Sequence, residues 1–168
     1  MATNKKPRKP YRPKRNLVNP VAHVLDGMTV LAPKAVTALL LANHAAMYEI
    51  VQGRGTQEHW RTVTGALNMA IALDEQVYCS TEAPTLIAAL KAQARCGVRG
   101  FKGQALGYTG PDLQLINHAL SVHNEQVERA TIGEIERAID ACRRRERSEG
   151  EHYTVRQIAE QAEQEELT

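Results

Sequence analysis

The chain has 168 residues, 43% of them hydrophobic, 4% aromatic and 24% charged, with a formal net charge of +2. That length suits one domain with one core, and so few rings favour close-packed helices of Ala, Leu, Ile and Val over a sandwich. Collagen, a coiled-coil rod, a disulfide mini-protein and a wholly disordered chain are excluded by the same figures.

Residues 1–19 read as an extended arm, which Pro7, Pro10, Pro13 and Pro20 hold near polyproline II. Lys5, Lys6, Arg8, Lys9, Arg12, Lys14 and Arg15 give residues 1–15 seven positive charges and no acid. Such a block suits a polyanion, whose condensed counterions are released on binding. Tyr11 stands among these charges, placed to stack on a base. These seven cations and Tyr11 form the predicted nucleic-acid-binding set. The plainer reading is an arm that aids solubility or folds back on an acidic tail. Residues 16–148 balance 13 basic against 13 acidic residues, and residues 149–168 carry six Glu and one Arg. Basic arm 1–19, helical bundle 20–148 and acidic tail 149–168 are the expected parts.

The body begins with a short predicted helix over 20–30, ending near Gly27. The next helix spans 33–52, with Pro33 in its first turn, and Gly53 stops it. Its apolar stripe is Val36, Leu39, Leu40, Asn43, Met47, Ile50 and Val51. A helix over 56–78 follows, with Thr56 as N-cap and Trp60, Val63, Leu67, Ala70, Ile71 and Val77 inward. The spacing predicts another over 82–96, capped by Thr81, with Leu86, Ile87 and Leu90 inward and Gly97 at the C′ position. Five glycines in 97–110 then read as a long loop. A helix from Pro111 carries Leu113, Ile116, Leu120, His123 and Val127 at steps of three or four. Thr131 and Glu134 form a capping box for a helix over 131–147, closed by the arginines of 143–147 where cations complement the helix dipole. A last helix is expected over 154–165. No period of two and no internal repeat appears, so the expected fold is all-α, an antiparallel helical bundle with an extended basic arm.

Two Gly-rich connections, Gln52–Thr56 and Cys96–Gly103, fall at one end of such a bundle. Arg54, Arg95, Arg99 and Lys102 are then in reach of one anion, with Thr56 at a helix N-terminus and Phe101 or Tyr108 as a stacking ring. Arg54, Thr56, Arg95, Arg99, Phe101 and Lys102 are the predicted anion- or nucleotide-binding set. Neither loop is a Walker A, since no Gly-Lys-Ser/Thr occurs. The plainer reading is two surface loops with Gly at helix ends and Arg for solvation.

His118 and His123 are five apart and no His-Glu-x-x-His exists, so His123 reads as a hydrogen-bonded core residue and no metal is expected. Cys79, Cys96 and Cys142 form no C-x-x-C, which fits a reduced, cytoplasmic protein. Cys96 at a helix C-terminus would have a raised thiol pKa, wrong for a nucleophile. No catalytic residue, enzyme activity or cofactor is expected. No apolar stretch suits a membrane span. The Leu39-Leu40-Leu41 run is apolar on more than one face and permits a homo-oligomer.

The opening Lys5-Lys6-Pro7-Arg8-Lys9-Pro10-Tyr11-Arg12-Pro13-Lys14 leads into a short apolar segment, and Leu115–Val127 precedes the Thr131-capped helix. This pairing resembles small helical accessory proteins encoded by phages and prophages of Gram-negative bacteria. The resemblance implies action in the host cytoplasm by binding rather than chemistry, and brings no catalytic residues. One expected function is a non-enzymatic accessory protein that binds nucleic acid, or a host complex containing it, through the basic arm and loop end. The alternative is an anti-defence inhibitor that masks a host immune complex or sequesters a nucleotide signal as a homo-oligomer.

Overall fold

A computed structural model describes residues 27–147. The arm, the expected helix over 20–30 apart from its end, the acidic tail and its helix over 154–165 lie outside the described residues. Within them the protein is an all-α bundle of five helices: α1 Pro33–Val51, α2 Gln57–Leu73, α3 Ala83–Phe101, α4 Gly110–Arg129 and α5 Ile132–Arg147. A π-helical turn, Asp74–Tyr78, continues α2.

Local chemistry sets most boundaries. The α2 N-terminus is a reciprocal box: the Thr56 hydroxyl accepts from the His59 N–H, and His59 Nδ1 accepts from the Thr56 N–H. At α5 the Thr131 hydroxyl accepts from the Glu134 N–H, while the Glu134 carboxylate accepts from the Thr131 N–H and hydroxyl. The Ile132 N–H donates to the Thr29 carbonyl, so the segment before α1 is bonded to the start of α5. That approach requires Gly133, whose Cβ would lie 2.9 Å from the Gly27 oxygen.

The α3 C-terminus corrects the sequence reading. The helix does not stop at 96 but runs to Phe101. The residue at C′ is Gly103, with φ +74°. Its N–H donates to the Gly100 carbonyl and the Gln104 N–H to that of Arg99, the paired bonds of a Schellman motif. Gly97 is buried inside α3 for another reason. A Cβ there would lie 2.9 Å from three atoms of the Trp60 indole. The start also differs: Glu82 precedes α3 without a side-chain cap.

Helix α2 is the centre, packing on α1, α3, α4 and α5. Eleven of the 21 buried apolar residues are Ala, so the backbones approach closely and few large side chains carry the packing. One cluster joins Ile50, Val63, Leu67, Leu86, Ile116 and Leu120. A second joins Val36, Leu73, Val127, Ala130, Ala138 and Ala141. Ile87, expected inward, is exposed; Ala89, Ala92 and Gln93 are buried on α3 instead.

Polar residues sit where one cluster gives way to the other. On α1 Asn43 falls between Val36 and Ala46, and on α4 His123 falls between Leu120 and Val127. Asn124 Nδ2 lies 2.9 Å from His44 Nε2 across the two helices. His123 is a core residue, 2% exposed. The hydrogen bond expected of it is missing at Nδ1, which has no partner among the described residues. Burial, and secondarily the charge of His44, pulls its pKa down to about 4.

Two predictions follow from this packing. Gly97→Ala should cost about 1–3 kcal/mol in urea unfolding followed by Trp60 fluorescence, because the indole must move. For His123 the unfolded ring, near 6.5, takes a proton that the folded ring refuses. Its contribution is therefore complete above pH 6.5 and lost as pH falls to about 4, on the order of 3 kcal/mol. His123→Leu should flatten the fall in melting temperature between pH 6.5 and 5, above the range where carboxylates titrate.

A candidate polyanion interface at the loop end

The connections 52–56 and 102–109 do lie side by side. A Cβ on Gly55 would meet Leu106 Cβ at 3.2 Å, and one on Gly100 would meet Leu106 Cδ2 at 2.7 Å. Leu106 thus plugs the second loop against the first and against the last turn of α3.

The loop is held from below by a buried polar knot. Trp60 Nε1 donates to the Gln93 carbonyl, 2.9 Å. The Gln93 side-chain amide donates to the Trp60 carbonyl at 2.9 Å and to the Thr64 hydroxyl at 3.3 Å. Its oxygen accepts from the Tyr108 hydroxyl at 2.7 Å. Gln93 is fully buried, yet both amide hydrogens and the oxygen are used. Burial first, then the neighbouring Cys96, raises the Tyr108 pKa, so the phenol stays protonated and donates. Cys96 is a mid-helix residue, not a helix terminus, and burial pushes its thiol up to about 11.

The six predicted residues divide. The Arg54 Nε and Nη2 each donate to a Glu49 oxygen at 2.9 Å, a bidentate pair. That pair lowers the Glu49 pKa and raises that of Arg54. Arg95 donates to Asp112 beside the Thr109 cap of α4. Burial pushes the Asp112 carboxyl up, but Arg95 and the Thr109 hydroxyl outweigh it and hold the group below its usual value. The Thr56 hydroxyl is engaged at its own helix cap. Arg54, Arg95 and Thr56 are therefore committed within the protein.

Arg99, Phe101 and Lys102 are exposed on the last turn of α3 and the residue after it. Phe101 is 77% exposed, the most of any large apolar side chain among the described residues. Arg99 has no carboxylate partner there. The arm residues Lys5, Lys6, Arg8, Lys9, Tyr11, Arg12, Lys14 and Arg15 lie outside the described residues. Sequence reading missed Glu49 and Asp112 as partners; the signals were an acid across the Gly53 turn from Arg54 and an acid in the first turn of α4. It also missed Gln93, which reads as one more polar residue in an Ala-rich helix.

Among the described residues no group of three His, Cys, Asp or Glu is placed to hold a metal ion, and no helix is long and apolar enough to cross a membrane. Compared with protein-family models, curated proteins and solved structures, the chain matches none.

The two kinds of arginine should behave differently. Arg95→Ala leaves the buried Asp112 unpaired and should cost about 1–3 kcal/mol in urea unfolding. Arg99→Ala and Phe101→Ala should leave stability within about 0.5 kcal/mol of the parent.

Proposed function

We propose that the protein is a non-catalytic bundle that binds nucleic acid, held chiefly by its basic arm and assisted by the loop end. The observation that carries this reading is the segregation of charge: seven cations and no acid in residues 1–15, ahead of a body whose charges balance. Seven cations so close together repel one another unless a polyanion neutralises them, and each phosphate contact releases counterions. A stretch that contains Pro7, Pro10 and Pro13 has fewer backbone states to lose on docking than a Gly/Ser stretch of the same length, because each proline ring fixes φ. At the loop end the exposed Phe101 between Arg99 and Lys102 adds a ring for an unpaired base beside two cations. The resemblance to phage accessory proteins implies action by binding rather than by chemistry, in keeping with this reading.

Fluorescence anisotropy with labelled single-stranded and duplex oligonucleotides at several salt concentrations tests this. Neutralising about six phosphates gives a log–log salt slope on the order of −5 on duplex. Deleting residues 1–15 should abolish binding and leave the bundle folded by circular dichroism. Phe101→Ala should weaken binding to the single strand and spare the duplex. Affinity unchanged by the deletion would overturn the reading.

A further inference from the structure

Helix α5 starts where the N-terminal segment joins the bundle. The Ile132 N–H donates to the Thr29 carbonyl at 2.7 Å, and Gly133 lies against Gly27. The loop end is elsewhere. Helix α1 carries the chain from this point to the 52–56 connection over 19 residues, about 28 Å at 1.5 Å each. A polyanion gripped by residues 1–15 is therefore tethered at the α5 end of the bundle.

From Cys142 to Arg147 the sequence holds four Arg and one Glu, and the four differ in what they meet. Arg145 is half-buried and donates to Glu75 on the turn that continues α2. Arg143 lies 3.6 Å from Asp140, both more than half exposed, and one helical turn earlier Arg137 lies 4.0 Å from Glu134. Pairs so long and so hydrated hold little free energy, and a phosphate can take either guanidinium over. Arg144 and Arg147 are exposed and meet no carboxylate among the described residues. At 3.6 residues per turn, Arg137, Arg144 and Arg147 fall within about a quarter turn of one another and span about 15 Å of α5. Over that length one strand of a duplex carries about four phosphates. The helix dipole accounts for cations in the last turn. It does not account for Arg137, two turns before Arg144 on the same face. All are Arg rather than Lys, and a guanidinium fork matches phosphate oxygens two at a time.

We propose that this face of α5 continues the arm's contact, with Arg137, Arg144 and Arg147 each taking a phosphate of the same nucleic acid. The inference rests on the nucleic-acid reading above and adds to it a second surface, fixed in shape, at the end of the bundle where the arm is attached. The competing occupant is the acidic stretch 149–168, which begins two residues past Arg147.

Two measurements on the full chain test it. The first is anisotropy titration of a short labelled DNA duplex at several salt concentrations, comparing the parent with the double variant Arg144→Gln, Arg147→Gln. Losing two phosphate contacts should weaken binding at least about tenfold near ~0.1 M salt and make the log–log slope shallower by about 2. The melting temperature should not move, because both side chains are exposed. Arg61→Gln, on the exposed side of α2, should leave the slope unchanged. The second is modification by the arginine reagent phenylglyoxal, read by mass spectrometry. The duplex should protect Arg144 and Arg147 and leave Arg61 reactive. A parent that binds no duplex overturns the nucleic-acid reading and this inference with it. Where the parent binds, a slope that the double variant leaves unchanged, or Arg144 and Arg147 left unprotected, overturns the inference alone. Protection already complete without duplex assigns the face to residues 149–168 and likewise overturns it.

Discussion

The loop end depends on one close contact, the Trp60 indole lying where Gly97 has no side chain. That approach brings the indole N–H onto the Gln93 carbonyl and the Gln93 side chain onto the Trp60 carbonyl, so α2 and α3 are tied by reciprocal hydrogen bonds in an apolar setting. Buried amides are costly when unpaired and specifying when fully paired. Gln93 is of the second kind, and its remaining oxygen takes the Tyr108 hydroxyl. Tyr108 pins the loop before α4, Leu106 fills the space between the two connections, and the last turn of α3 is left projecting with Arg99, Phe101 and Lys102 outward. A bundle whose buried apolar residues are half Ala has few large side chains to define helix register. This polar knot does that work between α2 and α3.

Much of the fold was legible because its signals are local. Thr56, the Thr131–Glu134 box and the Gly53 stop all act within a few residues, and each is where the sequence puts it. The apolar periods of α2 and α4 also held, including His123. What misled was Gly97. A glycine after an apolar run reads as a helix end, and nothing local distinguishes it from a glycine that makes room for an indole 37 positions earlier in the chain. The true end, Gly103, looked like one glycine among five. The inward face of α3 was misread for a related reason: Ala89 and Ala92 carry weak hydrophobic signals, whereas Ile87 carries a strong one and faces solvent.

The candidate interface was legible in position and less so in membership. Two Gly-rich connections do meet at one end, as alternating helix directions require. Composition marks an arginine as positive but not whether a carboxylate meets it first. Arg54 is answered by Glu49 and Arg95 by Asp112, and only three-dimensional placement separates those from Arg99. The outward positive charge of the loop end is accordingly smaller than its arginine count. The arm, with seven cations and no acid, is where charge is densest.

The claim that the knot holds the loop end is tested most directly by a double-mutant cycle between Gln93→Leu and Tyr108→Phe. Urea unfolding of the parent, both single variants and the double would be read from the one Trp. If Gln93 joins the loop to the Trp60 contact, the two changes couple by about 1 kcal/mol or more. Strict additivity, within about 0.3 kcal/mol, would mean that the loop is held by other contacts and that the account of its position is wrong.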